Sequence, residues 1–497
     1  MAWKKRDSVR IIAGVVAGII LAMSISSFNG CSSNPSLEAW HTEKLSKEFT
    51  ADLLGEEISN FSEYMELEHI LFNQLDEKVY AETGTGADQV LNRYSSGSAA
   101  DPTDLQPNWN RSFELEGNGK GGVLLLHGMS DSPYSLRALG EALNQRGYHV
   151  IGLRLPGHGT APSGLKYVRW QDMAAAVELA MEQLYSGLGS ASSALHIIGY
   201  STGASLALDF TLKALDGNPA RVPDSLILIS PAIRVHGAAR LAGFKGSLSA
   251  LPGLGNMAWL TVMDEFDPYK YNSFATNAGS QVHRVTVDVD RRIQALASNP
   301  VAAESFPRVL VLKSTVDATV TTDAVVDNLL NRLPADRNEL VLFDINRQAA
   351  IKSTLLVSDP GPLTNRLLAD SDLPFSVTFI TNENPYSNAV EARFKAPHSA
   401  EPLNTGLLGL EWPRGVVSLS HVALAMPQYD PLYGQFPPAN QDHIFLGDLA
   451  LKGERGLLKI PENWLLRMRY NPFYSYLEER VLGWLEKPAG LKRLNAE

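Results

Sequence analysis

Leu195-His196-Ile197-Ile198-Gly199-Tyr200-Ser201-Thr202-Gly203-Ala204 is the stretch on which the fold turns. The short apolar run at 195–198, rich in β-branched residues, reads as a buried parallel strand. Beyond Gly203, Ala204-Ser205-Leu206-Ala207-Leu208 is mostly good helix formers. Ser201 sits between them in a Gly-x-Ser-x-Gly frame. A serine held in a sharp turn between strand and helix crowds the positions two residues to either side, and only glycine fits there. The outcome is a nucleophile elbow, with the hydroxyl at a helix N-terminus where free N–H groups favour a developing oxyanion. A plain glycine-rich turn is the bland alternative, and the strand before and helix after count against it.

The rest of the chain bounds the function. At 497 residues, 44% hydrophobic and 20% charged, it can bury a large core. A net charge of −11 argues against nucleic acid as a partner. The single cysteine, Cys31, excludes an intrachain disulfide and a cysteine metal cluster. Lys4, Lys5, Arg6 and Arg10 precede an apolar run at 11–23, followed by mostly small and polar residues up to Cys31. This is the anatomy of a secretory signal. It resembles a bacterial lipoprotein signal, which implies lipidation of Cys31 and, with Ser32 next, the outer membrane. An uncleaved anchor helix at 1–30 is the alternative. Either way the remainder is expected outside the cytoplasm, tethered to a membrane.

Residues 31–115 read as an N-terminal helical extension packed on the main domain, with a linker around 95–102. Gly117-Asn118-Gly119-Lys120-Gly121-Gly122 has the spacing of a phosphate-binding loop, but it precedes a strand and lacks the helix N-terminus that a phosphate cradle needs. From there strands alternate with helices: strands at 123–126, 150–153, 195–198 and 226–230, helices at 135–146 and 170–184. This is the pattern of a mostly parallel sheet covered on both faces, whose chemistry lies at the carboxyl ends of its strands. His127-Gly128, Pro156-Gly157-His158-Gly159 and Ser201 all fall at such ends.

These three motifs, in this order, resemble the α/β-hydrolases, most closely the serine aminopeptidase-type branch that includes monoacylglycerol lipases and carboxylesterases. The resemblance implies an α/β-hydrolase domain at 116–490 with a cap at 232–285. It makes Ser201 the nucleophile, with the backbone N–H groups of Met129 and Thr202 forming the oxyanion hole. His127 and His158 are read as loop-shaping residues. The cap residues Leu251, Leu254, Met257, Trp259 and Leu260 suit an acyl chain or simply pack the cap. The aromatic cluster at 266–271 is a candidate for the entrance.

In this fold the acid and then the histidine follow the serine in the chain. The strand at 308–313 leads into Ser314-Thr315-Val316-Asp317-Ala318-Thr319-Val320, so Asp317 is the expected acid, with Asp323 the alternative. His398, His421 and His443 are the histidines that follow. His421 is favoured because Val416-Val417-Ser418-Leu419 reads as a strand running straight into it, while His443 begins what looks like another. Residues 346–414 are then an insertion or an extension of the sheet. The histidines show no metal-ligand spacing, and neither a metal nor a cofactor is expected. The reading is a serine hydrolase cleaving carboxylic esters, with a small-molecule acyl ester or amphiphile as substrate. Its rivals are an aminopeptidase, using Asp264, Glu265 and Asp267 to hold an α-amino group, and an inactive surface binding module.

Overall fold

A computed structural model of the chain describes residues 36–188, 190, 193–217, 220–234, 255–317, 319–348, 359–439, 443–447 and 467–486. The expected signal or anchor, Cys31, and the cap residues Leu251 and Leu254 lie outside them. Among the described residues no helix is long and apolar enough to cross a membrane.

The strands in chain order are β1 (Phe113–Leu115), β2 (Gly121–Leu126), β3 (His149–Leu153), β4 (Ala194–Tyr200), β5 (Ser225–Ile229), β6 (Trp259–Thr261), β7 (Phe274–Ala275), β8 (Arg308–Ser314), β9 (Glu339–Phe343), β10 (Ser376–Asn382), β11 (Ala389–Lys395) and β12 (Leu403–Glu411). The helices are α1 (Ala39–Thr42), α2 (Phe61–Leu75), α3 (Tyr134–Gln145), α4 (Trp170–Gly187), α5 (Thr202–Leu215), α6 (Thr276–Ala297), α7 (Pro300–Glu304), α8 (Thr322–Asn328), α9 (Gly361–Ala369) and α10 (Tyr474–Glu486). Ten strands form one sheet in the order β1-β3-β2-β4-β5-β8-β9-β10-β11-β12, and β6 pairs with β7 apart from it. From β3 to β10 every pairing is parallel, while β1 and β11 run against their neighbours.

The parallel strands have no polar face because both faces are covered. All six residues of β2 and all five of β5 are buried. Each such Val, Leu or Ile side chain contributes roughly 1.5–3 kcal/mol relative to exposure. Helix α3 turns Leu136, Leu139 and Leu143 inward at helical spacing, into the core that also holds Val123, Leu125 and Val150.

The expected linker around 95–102 is packed instead. Ser95, Ser98 and Asp101 are buried, and Asp101 accepts from the amides of Gly97 and Thr103 and from the Tyr80 hydroxyl. A local carboxylate that satisfies several turn donors lets polar chain be buried. The extension grips the loop after β3. Arg154 is buried between Glu68, at 2.9 Å, and Glu48, at 3.0 Å. Tyr64 donates to the Arg154 carbonyl and the Gly157 amide donates to Glu48.

Two further expectations are corrected. Residues 416–419 are not a strand: β12 ends at Glu411, and the chain beyond is held by side chains and single backbone bonds. Asn346 donates to the carbonyls of Val416 and Val417, and Ser314 to that of Leu419. Nor does His443 begin a strand within 443–447. The segment 346–414 extends the sheet through β10, β11 and β12, and the cap limit expected at Val285 falls inside the 22-residue helix α6.

Candidate active site

The elbow owes its geometry to two glycines. A Cβ at Gly199 would come within 2.5 Å of the Ala204 backbone, and one at Gly203 would run into the Leu126 carbonyl. Between them Ser201 holds φ 54° and ψ −114°, a conformation that costs a non-glycine residue on the order of 1–3 kcal/mol. Its amide donates to the Ile229 carbonyl and its own carbonyl accepts from Ala204 and Ala232, so the turn is tied down on both sides.

The structure brings Ser201, Asp317 and His421 together. His421 Nε2 lies 3.0 Å from Ser201 Oγ and its Nδ1 lies 2.8 Å from Asp317 Oδ2. The carboxylate accepts at Nδ1–H and so fixes the tautomer that leaves Nε2 free to take the hydroxyl proton. Asp317 is itself anchored: its Oδ1 accepts from the amides of Thr319 and Val320. Burial pushes the Asp317 carboxyl up. The His421 hydrogen bond and charge, with the Lys313 ammonium, outweigh that and hold it well below the usual carboxylate range.

Lys313 was not picked out from the sequence. It is fully buried, its ammonium lies 3.0 Å from Asp317 Oδ2, and it donates to the Val320 carbonyl. A lysine closing an apolar strand four residues before the acid is the signal that could have found it, because a buried ammonium must have a partner.

The alternatives stand elsewhere. β11 runs back to the amino edge of the sheet, so His398 lies there, its amide bonded to the Leu373 carbonyl ahead of β10. Asp323, on α8, is exposed and paired with Arg366. His443 lies beside Ile444, whose amide reaches the Ala99 carbonyl. His127 is buried and stitches two loops: Nδ1 donates to the Gly128 carbonyl and Nε2 accepts from the Leu155 amide. His158 is buried with Nδ1 on the Pro156 carbonyl, and burial lowers its pKa to about 4.

The proposed oxyanion donors flank the elbow. Thr202 opens α5 directly after the serine. Met129 follows Gly128, where a Cβ would stand 3.1 Å from Ser201 Cβ. The next residue, Ser130, accepts from the Tyr271 amide, which ties this loop to the 266–271 cluster. That cluster is largely buried packing, not an entrance: Tyr269 stacks on Tyr134 at 4.0 Å and the Tyr271 hydroxyl accepts from Thr160. Lys270 alone of it lines a cavity of about 60 Å³, shared with Asp131, Val422, Met426, Tyr433, Arg467 and Arg469.

Residues 117–344 match the family model of serine aminopeptidases, S33. The chain carries an α/β-hydrolase fold. Over 91 residues the chain is 37% identical to the thermostable monoacylglycerol lipase of Bacillus sp. (strain H-257), an alignment spanning 18% of this chain and 35% of that lipase. Solved structures are similar over about half of the chain. One, of the metagenome-derived lipolytic enzymes LipS and LipT, has TM-score 0.38 and 20% identity over 47% of this chain and 87% of that one. The Paleococcus ferrophilus monoacylglycerol lipase has TM-score 0.36 and 18% identity over 47% and 88%. Among the described residues, no group of three or more His, Cys, Asp or Glu is placed to hold a metal ion.

Proposed function

We propose that this α/β-hydrolase is a serine hydrolase that cleaves carboxylic esters through an acyl-enzyme. The observation that carries the reading is one imidazole bridging a strained serine and a buried carboxylate, at 3.0 and 2.8 Å. Ser201 Oγ attacks the acyl carbonyl as its proton passes to His421 Nε2. The amides of Met129 and Thr202 take the charge that develops on the carbonyl oxygen. His421 returns the proton to the leaving alkoxide as the C–O bond breaks. Water, deprotonated by the same imidazole, then releases the acid and restores Ser201.

Two of the three carboxylates offered for an aminopeptidase, Glu265 and Asp267, are committed elsewhere, which supports the ester reading. Glu265 accepts from the amides of Asn272 and Ser273. Asp267 accepts from the amides of Tyr269 and Lys270, the Tyr433 hydroxyl and Arg469. The relatedness to a monoacylglycerol lipase points the same way. A fluorophosphonate probe tests the assignment: it should label the protein and fail to label Ser201→Ala. Acyl esters should turn over in preference to aminoacyl amides. Labelling that persists in Ser201→Ala would overturn the assignment.

A further inference from the structure

The cavity next to His421 has a charge pattern that the ester reading does not use. Val422 and Met426 line it from the segment just after the histidine, and Asp131 lines it from the loop just after Met129. Arg467 and Arg469 both face it, while Met468 between them packs on the core and its carbonyl accepts from Ser420, the residue before His421. Lys270 completes the wall. Three cations therefore meet at one small cavity, in a chain whose net charge is −11.

Two of the three have carboxylate partners. Lys270 lies 3.5 Å from Asp131 and Arg469 lies 3.3 Å from Asp267. Arg467 is exposed and makes no ion pair among the described residues. Among the described residues Asp131 is the one carboxylate lining the cavity, and Lys270 already faces it. Among the described residues the wall thus keeps an uncompensated positive charge, with Val422, Met426 and Tyr433 supplying apolar surface beside it.

The side of the site matters. His421 hands its proton to the leaving alcohol, and the residue after it, Val422, lines the cavity. We infer that this cavity binds an anionic group on the alcohol part of the substrate, so that the enzyme prefers carboxylic esters whose alcohol bears a phosphate or a carboxylate. This rests on the ester-hydrolase reading above. A guanidinium suits either anion, since both present paired oxygens to its fork of donors.

The test uses the full chain and soluble butyryl esters in matched pairs: 1-butyrylglycerol 3-phosphate against 1-butyrylglycerol, and O-butyryl lactate against its ethyl ester. Wild type should favour at least one anionic member by about tenfold in kcat/KM, mainly through KM, and the preference should shrink as salt is added. Arg467→Gln should bring that ratio close to one and Arg467→Glu should reverse it. A preference for only one anion identifies the group the cavity takes. Equal turnover within both pairs, or a preference that survives Arg467→Glu, would overturn the inference while leaving the hydrolase reading intact. No turnover of any of the four would instead count against the hydrolase reading.

Discussion

At the scale of single residues the site is a chain of contacts that ends on Lys313. The lysine side chain is desolvated, and burial lowers its pKa against the opposing pull of Asp317. What it returns is a carboxylate held ionised next to the imidazole. An ammonium 3.0 Å from Asp317 Oδ2 favours the state in which the Asp317–His421 pair holds no extra proton. Lys313→Met keeps the volume and removes the charge. The coupled pair then takes up its proton at higher pH, so the acid limb of kcat/KM against pH should move to higher pH. Melting should also fall, because losing one member of a buried pair costs up to about 3–5 kcal/mol, less whatever His421 and the two loop amides recover. An acid limb that stays in place would show that Lys313 supports the fold without tuning the pair.

At the scale of elements the question is how a histidine 104 positions beyond the acid reaches it. The answer is parity of direction. β9 ends at the carboxyl edge and α9 lies between it and β10, which climbs to that edge again. β11 descends and β12 climbs, so the inserted antiparallel pair returns the chain to the edge it left, and His421 follows. The parallel strands β2, β3, β4, β5 and β8 were legible because they are almost wholly buried and read as apolar runs. β11 and β12 were not: Ala389-Val390-Glu391-Ala392-Arg393-Phe394-Lys395 interleaves charges, and β12 leaves Leu403 and Leu407 exposed at the sheet edge. Residues 416–419 misled in the opposite direction, being apolar and β-branched yet held outside any ladder by Ser314 and Asn346. The elbow was legible because steric exclusion leaves glycine as the one residue that fits, and that exclusion can be measured. Gly203→Ala forces a Cβ onto the Leu126 carbonyl, a backbone atom that cannot swing aside. It should cost on the order of 3 kcal/mol and lower Ser201 labelling by the fluorophosphonate. Gly483→Ala, in α10 with open space around its Cβ, should gain up to about 1 kcal/mol and leave labelling unchanged. Equal melting temperatures for the two variants would contradict the steric account of the elbow.

At the scale of the whole molecule, neutral histidines are built into regions far apart in the chain. His41 of the extension bonds Ser273, His127 and His158 shape the loops behind the elbow, and His196 in β4 bonds Ser225. Burial lowers all four: His41 and His158 to about 4, His196 to about 3, and His127 well below the usual histidine value. The unfolded chain binds protons at these sites near pH 6.5 and the folded chain resists until much lower. Their contribution to stability is therefore complete above about pH 6.5 and is lost as pH falls towards 4. A lowering from 6.5 to about 4 corresponds to at most about 3 kcal/mol per histidine, at ~1.4 kcal/mol for each pH unit. Glu265 works against this. Burial raises it to about 7, so its contribution is complete below about pH 4.5 and is lost as pH rises through 7. A shift of that size offsets about one histidine, which leaves three. The melting temperature should therefore fall by several degrees between pH 7.5 and pH 5, at roughly 2–4 °C per kcal/mol or less for a chain of this length. A melting temperature that is flat or rises over that interval would mean that these four imidazoles take up protons in the folded protein as readily as in the unfolded chain.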